Sequence, residues 1–294
     1  MPEPVSRRLR LSTGLDYHLI EWGRDDPALD HTVVMVHGFL DLCWGWQDAV
    51  EAGLAGRFHV VAPDMRGHGD SDRVGAGGYY HFMDYLADLE SLVEQVGRAR
   101  VSLVGHSMGG SVAAYFTGAW PERVARLVLI EGSGPPEDPT PVPDRVHLWV
   151  DACKRARLRQ PRGYDSIEAA AARLRQHDPQ LHEALSLRLA RHGTSRGADG
   201  QLRFKHDPLH LTRGPYPFRL EVARSFWQRI RCPTLLVEGG ESPFRELDRS
   251  GDFPDAERAV VEGAAHMIQR HKPRELGRLL AGFLSGHDER ADPG

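Results

Sequence analysis

The chain has 294 residues, 40% of them hydrophobic and 27% charged, which is enough to bury the core of a globular enzyme. Its formal net charge of -4 gives no general attraction to nucleic acid or to anionic membranes, and no apolar run is long enough to cross a bilayer. Three widely spaced cysteines without a CxxC pair argue against a disulfide framework and a cysteine-based zinc site.

The start of the chain (MPEPVSRR) lacks the apolar stretch of a signal peptide. Together with the cysteine usage, this predicts a cytoplasmic protein. We expect a small-molecule substrate, no cofactor, no metal, and neither nucleic acid nor a membrane as partner. The sequence leaves open whether the protein forms a homodimer.

Short apolar runs alternate with segments of helical spacing along the first half of the chain. The runs have the near-continuous apolar character of strands covered on both faces, and they lie at 32–36, 58–62, 101–104, 127–130 and 234–237. Residues 80–96 and 108–120 have helical spacing, and Pro121 ends the second of these helices. The alternation predicts an α/β fold with a mostly parallel central sheet flanked by helices.

A helix-rich, arginine-rich segment interrupts this alternation after a run of prolines at 135–143. A helical insertion between two strands of one sheet is typical of a cap, so we predict a core of residues 1–134 and 230–294 and a cap of residues 135–229. Residues 145–231 contain 18 basic and 8 acidic residues. Solvated surface arginines explain this excess most simply, and attraction of anionic substrates is the alternative. The polar tail after Gly286 is expected to fray.

The segment VSLVGHSMGG, residues 101–110, is a strand followed by a Gly-x-Ser-x-Gly turn and a helix. Such a turn strains the backbone of the serine, and it needs small residues two positions before and after it. It exposes the serine oxygen at a helix N-terminus, where the helix dipole favours developing negative charge. The context predicts that Ser107 is a nucleophile.

Two further segments supply the partners that a nucleophilic serine needs. After the strand at 32–36, the turn His37-Gly38-Phe39 can direct the N–H of Phe39, together with that of Met108, at an oxyanion. Late in the chain, the strand and small-residue loop VVEGAAH end at His266, the candidate general base. His206 and His210 have the spacing of metal ligands on a helix, but Pro208 between them argues against a helix and a metal site.

These motifs resemble those of the α/β-hydrolase fold superfamily over nearly the full chain: HGF, DMRGHGDS at 64–71, GHSMGG and GAAH. The resemblance implies that Asp64 and Arg66 brace a loop rather than take part in catalysis. Haloalkane dehalogenases and epoxide hydrolases carry aspartate where this chain has Ser107, so the resemblance disfavours those activities.

The chain departs from the family pattern at the triad acid. In the family an aspartate follows the strand that here ends at Val237, in a Gly-x-x-Asp-Pro pattern, but this chain has Ser242 at that position. Glu131, directly after the strand at 127–130, and Glu241, one residue out of register, are the candidates. A serine hydrolase-like subgroup resembles the chain in placing its acid after the sixth strand and in cap segments similar to 191–194 and 203–207. That resemblance favours Glu131.

The sequence therefore predicts a serine hydrolase that cleaves an ester or related acyl bond through a Ser107–His266–Glu131 triad and an acyl-enzyme. Two alternatives stay open: a carbon–carbon bond hydrolase with the same triad, and a hydrolase-fold ligand receptor with little turnover. Several aromatic residues could line a pocket beneath the cap or pack in the core, namely Trp44, Trp46, Phe82, Trp149, Tyr216, Phe218 and Phe226.

Overall fold

The computed structural model describes residues 3–286, so the polar tail after Gly286 lies outside the described residues. Its centre is an eight-stranded sheet with the order β1-β2-β4-β3-β5-β6-β9-β10. The strands of this sheet are β1 (Val5–Arg10), β2 (Asp16–Trp22), β3 (His31–Val36), β4 (His59–Pro63), β5 (Arg100–His106), β6 (Arg126–Ile130), β9 (Thr234–Gly239) and β10 (Glu257–Val261). The strands from β4 to β10 in this order are parallel, which confirms the predicted α/β fold.

The first two strands, β1 and β2, were not among the predicted elements. They are antiparallel to each other, and β2 is antiparallel to β4. Strand β1 has the sequence VSRRLR and lies at the sheet edge, where its side chains are exposed or half-buried. A charged edge strand lacks the apolar run by which the central strands are recognised.

Helices cover both faces of the sheet. The helices of the described chain are α1 (Gln47–Gly53), α2 (Phe82–Val96), α3 (Met108–Ala119), α4 (Val142–Leu158), α5 (Ile167–His177), α6 (Glu183–Gly193), α7 (Leu220–Trp227), α8 (Ile268–His271) and α9 (Pro273–Leu284). Alternate residues of each central strand face opposite layers: Val34 packs with the α2–α3 side, whereas Val33 packs with the α1–α9 side. Both faces of the strand are buried, so its sequence is apolar throughout.

The segment between β6 and β9 contains helices α4 to α7 and a short antiparallel pair, β7 (Thr194–Arg196) and β8 (Leu202–Phe204), which the sequence did not indicate. Part of this segment has a small apolar cluster of its own around Tyr164, Ala170 and Leu202. Ion pairs from Arg188 to Asp48 and from Lys205 to Asp70 attach it to the core.

Helix α7 lies within residues 135–229 but packs against the central sheet. Ala223 and Trp227 belong to the same hydrophobic cluster as the core strands. The helix also approaches α3 so closely that a Cβ at Gly118 would lie 2.3 Å from the carbonyl oxygen of Phe226. This helix therefore packs on the core, and the division into core and cap stays a prediction.

Within residues 3–286, no helix combines the length and the apolar character that crossing a membrane requires.

Candidate active site

Ser107 lies between β5 and α3, at the carboxyl edge of the parallel strands. Its backbone has φ +51° and ψ -117°, a conformation that costs free energy for any residue other than glycine. Its amide donates to the carbonyl oxygen of Ile130 at 2.9 Å, which ties the turn to β6. A Cβ at Gly109 would lie 2.3 Å from the carbonyl oxygen of Val36, and one at Gly105 would lie 2.4 Å from that of Gly109. The two glycines of the motif are therefore required by close backbone contacts.

The turn after β3 lies directly against this serine. A Cβ at Gly38 would lie 3.2 Å from the Cβ of Ser107. His37 holds the turn, because its Nε2 accepts from the amide of Met65 at 2.9 Å and its Nδ1 donates to the carbonyl oxygen of Gly38 at 2.7 Å. Leu40 has φ +56°, and its amide donates to Nε2 of His68 at 3.2 Å. Two buried histidines thus support the loop that carries Phe39.

Glu131 contacts the imidazole of His266. Its Oε2 lies 3.2 Å from Nδ1 of His266 and accepts from the hydroxyl of Ser242 at 2.6 Å. Its Oε1 accepts from the amide of Gly239 at 2.8 Å. With Nδ1 donating to the carboxylate, Nε2 of the imidazole is left as an acceptor, which is the tautomer a general base needs.

The carboxylate of Glu131 is held in its ionised form. Burial alone would raise its pKa, but the hydrogen bonds from His266, Ser242 and Gly239 outweigh burial and lower the pKa below its ordinary value. Its side chain is only 3% exposed. The group can therefore keep a negative charge close to His266 in a partly water-excluded site.

Glu241, the other candidate acid, has a different partner. Its Oε2 accepts from Nε2 of Gln180 at 2.8 Å, in an exposed contact with the β6–β9 segment. The structure thus brings Glu131, and Ser242 with it, to His266. The role of Ser242 was not predicted from the sequence: its hydroxyl stands at the position of the family's aspartate and donates a hydrogen bond to Glu131.

A cavity of about 890 Å³ opens above Ser107, and Phe39, Met108, Glu131 and His266 also line it. Most of its remaining wall is apolar or aromatic, with contributions from α2 and α3 (Phe82, Tyr85, Tyr115) and from the segment after β8 (Tyr216, Phe218, Val222). Of the aromatic residues singled out in the sequence, Phe82, Tyr216 and Phe218 line it. The others contact neighbours instead: Trp46 is buried in the core, Trp44 stacks on His192, Trp149 contacts Tyr79, and Phe226 stacks on Tyr115.

Three potential metal ligands, His18, Cys43 and Asp64, have side-chain atoms within 4.8 Å of one another. Asp64 already accepts hydrogen bonds from Nδ1 of His18 at 2.7 Å and from the amide of Cys43 at 2.8 Å. Burial and the nearby Asp64 raise the pKa of the Cys43 thiol well above its usual range. These contacts hold the loop after β4 in place, which is the bracing role that the family resemblance implies for Asp64.

His206 and His210 do not lie on one α-helix. Pro208 begins a 3₁₀ turn, Pro208–Leu211, and Nε2 of His210 lies 3.2 Å from the carbonyl oxygen of Arg66. The ring of His210 packs on Tyr80. The histidine thus has backbone and aromatic partners in this arrangement.

Comparisons with known proteins agree with this architecture. The family model described as alpha/beta hydrolase fold matches residues 31–273. A serine hydrolase-like protein of Danio rerio is 32% identical over 280 residues, covering 90% of this chain and 83% of its own. The AB hydrolase superfamily protein YfhM of Bacillus subtilis is 23% identical over 291 residues, covering 93% of this chain and 96% of its own. Among solved structures, a thioesterase domain from the curacin biosynthetic pathway has a TM-score of 0.82 at 25% identity, covering 95% of this chain and 99% of its own.

Proposed function

The chain belongs to the α/β-hydrolase fold family, and we propose that it is a serine hydrolase that cleaves carboxylic esters through an acyl-enzyme on Ser107. The observation that carries the proposal is the grouping of Ser107, His266 and Glu131 at one cavity, with Nδ1 of His266 3.2 Å from the carboxylate. The similarity to the serine hydrolase-like protein also confirms the resemblance drawn from the sequence motifs.

In the proposed mechanism, Nε2 of His266 takes the hydroxyl proton of Ser107 as its Oγ attacks the ester carbonyl. The amides of Phe39 and Met108 donate to the oxygen that becomes negative in the tetrahedral intermediate. His266 then protonates the departing alcohol. A water molecule, deprotonated by His266, attacks the acyl-enzyme and releases the acid, while Glu131 stabilises the imidazolium in both steps.

The cavity favours an ester with a large apolar part. Its aromatic walls would bury such a group, and each buried CH₂ contributes about 0.8 kcal/mol. The basic excess of residues 145–231 is not repeated at the cavity, where Arg219 and Arg245 line the wall together with Glu131, Glu238 and Asp248. We therefore propose an uncharged ester rather than an anionic one.

The test is labelling with a fluorophosphonate probe, combined with hydrolysis of p-nitrophenyl esters of increasing chain length. Ser107→Ala should lose labelling and about 10⁴-fold or more in turnover, as removal of a triad serine does. Ser111→Ala, a change at another serine of the same cavity, should still be labelled. In the wild type, kcat/KM should rise from acetate to octanoate.

Labelling that persists in Ser107→Ala would contradict the nucleophile assignment. A labelled protein that hydrolyses none of the esters would refute the esterase proposal and favour the ligand-receptor alternative. Preference for acetate over octanoate would refute the apolar substrate class alone.

A further inference from the structure

Buried polar side chains form a chain of contacts that begins at the amide of Ala265 and ends at the carbonyl oxygen of His266, so the backbone closes it into a ring. We call this set the polar ring; its members are Asp41, His106, Asp178, Gln269, Arg270 and His271. They come from the loop after β3, the end of β5, the turn after α5, and α8. Each is buried or nearly so.

One half of the polar ring holds the backbone before His266. The amide of Ala265 donates to Nδ1 of His271 at 3.1 Å. Because Nδ1 accepts, the ring proton lies on Nε2, which donates to Oδ1 of Asp178 at 2.7 Å. Asp178 follows α5 in the β6–β9 segment, so a side chain from outside the core fixes the orientation of His271.

The other half holds the carbonyl of His266 itself. Nε2 of His106 lies 2.9 Å from that oxygen and donates to it, and Nδ1 of His106 accepts from Nε2 of Gln269 at 3.2 Å. Gln269 in turn donates to Oδ2 of Asp41 at 3.1 Å. Burial, followed by the nearby His266, lowers the pKa of His106 to about 3, so this imidazole has one donor and one acceptor, as these contacts require.

Arg270 joins the two halves. Its Nη2 lies 2.7 Å from Oδ1 of Asp41, and its Nη1 lies 3.8 Å from Oδ2 of Asp178. Asp41 belongs to the loop of Phe39, since its amide donates to the carbonyl oxygen of Gly38 at 3.2 Å. One guanidinium thus connects the loop of the proposed oxyanion donor to the β6–β9 segment.

The polar ring is not arranged for greatest stability. Among the described residues, the buried Nε of Arg270, Oδ2 of Asp178 and Oε1 of Gln269 have no hydrogen-bond partner. Buried polar atoms without such partners cost free energy, so an apolar cluster would stabilise this region at least as well. Both backbone groups fixed by the polar ring, the amide of Ala265 and the carbonyl of His266, adjoin the proposed general base.

From this geometry we propose that Asp178 and Arg270 are positioning residues for His266. Asp178 acts through His271 and Arg270, so the segment between β6 and β9 controls the direction of the imidazole as well as covering the site. The inference rests on the proposed function, because it concerns the histidine that activates Ser107. A shift of about 1 Å in a catalytic group can cost on the order of 10²-fold in rate.

The test compares Asp178→Ala, Asp178→Asn and Glu183→Ala. We expect Asp178→Ala to lower kcat by about 10-fold to 100-fold, because the imidazole of His266 is no longer held in its orientation. KM should change by less than about threefold, because the cavity wall that binds the substrate is unchanged. Asp178→Asn keeps an acceptor for His271 and should recover most of kcat. Glu183→Ala is the control, since this side chain of the same segment is 75% exposed, and it should match the wild type within about twofold.

A double-mutant cycle separates positioning from general stabilisation. If Asp178 acts through His271, then His271→Gln should reduce kcat similarly, and the double variant should lose little more than either single variant. The proposal would be overturned if the loss of kcat in the double variant equalled the product of the two single losses. It would also be overturned if kcat of Asp178→Ala stayed within twofold of the wild type. If Asp178→Ala does not fold, Asp178→Ser takes its place in the test. Serine keeps a polar group at this position, but its side chain is too short to reach His271.

Failure of this proposal is distinguishable from failure of the proposed function. If Ser107→Ala retains ester turnover or labelling, the proposed function is wrong whatever Asp178 does. If Ser107 is labelled and required for turnover while Asp178→Ala behaves as wild type, only the positioning role is refuted.

Discussion

Glu131 and Ser242 share a hydrogen bond of 2.6 Å, and this contact accounts for a serine in the family's aspartate position. A carboxylate at 242 would lie beside that of Glu131, and two neighbouring negative charges repel each other. A hydroxyl instead donates to the carboxylate and lowers its pKa. Glutamate also reaches one methylene further than aspartate, which helps it span from the end of β6 to the loop of His266.

The acid can be assigned by two matched variants. Glu131→Gln should lose about 10³-fold to 10⁴-fold in turnover, because the amide keeps the shape of the side chain but cannot stabilise an imidazolium. Glu241→Gln should stay within about tenfold of the wild type, since Glu241 contacts Gln180 at an exposed position. Steady-state kinetics with one ester measures both.

Thermal melts near the wild-type value must first show that both variants fold, so that lost activity is not lost structure. An inactive Glu241→Gln beside a fully active Glu131→Gln would reverse the assignment and place the acid on the loop after β9.

Residue roles in the site differ in how far the sequence could predict them. Ser107 could be proposed as the nucleophile because the pattern that singles it out is local: a strand, two glycines and a helix within ten residues. The polar ring could not be predicted, because its members come from four separate parts of the chain and meet only in the tertiary fold. Nothing local distinguishes His271 among the 16 histidines, and the place of His106 beside Ser107 in the motif does not indicate its contact with the carbonyl of His266.

At the scale of elements, the junction of β5 with α3 depends on backbone contacts that exclude a side chain. Gly109→Ala should destabilise the protein by about 2 kcal/mol or more, because the new Cβ would lie 2.3 Å from a main-chain oxygen of β3 that cannot move aside. Gly282→Ala is the control. It lies in α9 with nothing within 4 Å of its Cβ position, so alanine should stabilise the helix by about 0.5–1 kcal/mol.

Urea unfolding of the two variants measures both effects as changes in midpoint at constant slope. Equal stabilities would show that the turn can relax around a methyl group, and would refute the steric reason given for the second glycine of the motif.

Most strands that are buried on both faces were predictable, but the buried strand β2 (DYHLIEW), the charged edge strand β1 and the short strands of the insertion were not. Strands β3 to β6 and β9 are recognisable as apolar runs because nearly all of their side chains are buried. Strands β7 and β8 have only three residues each, too few for any periodicity. Helix α7 carries polar and apolar residues like the helices before it, so its sequence does not reveal that it packs on α3.

Across the whole molecule, several histidines are buried in places that disfavour their charged form. Burial, followed by the neighbouring imidazoles of His210 and His37, holds the pKa of His68 well below its usual range. Burial lowers the pKa of His106 to about 3, and burial likewise lowers that of His210 to about 4. Between these values and the ordinary pKa near 6.5, the unfolded chain binds protons that the folded chain does not.

The free energy of unfolding should therefore fall as the pH is lowered from about 6.5, by up to about 1.4 kcal/mol per pH unit for each such histidine. A carboxylate whose pKa is lowered by folding affects the free energy of unfolding in a lower pH range. Burial raises the pKa of Glu21, but hydrogen bonds from His59 and Arg7 outweigh burial and lower it to about 2. Its contribution is complete above about pH 4.5 and is lost only as the pH falls toward 2.

Urea unfolding at several pH values between 7 and 4.5 measures the slope in the window where these histidines, and not Glu21, take up protons in the unfolded chain. His210→Gln should reduce that slope by up to one proton, because the side chain that resists protonation in the folded chain is gone. His147→Gln is the matched control, because it removes a histidine whose side chain is 77% exposed rather than buried. A wild-type free energy of unfolding that stays constant from pH 7 to 4.5 would contradict this prediction. It would mean that these histidines are protonated as readily in the folded chain as in the unfolded chain. In that case the loss of stability in acid would come from groups other than these histidines, such as Glu21.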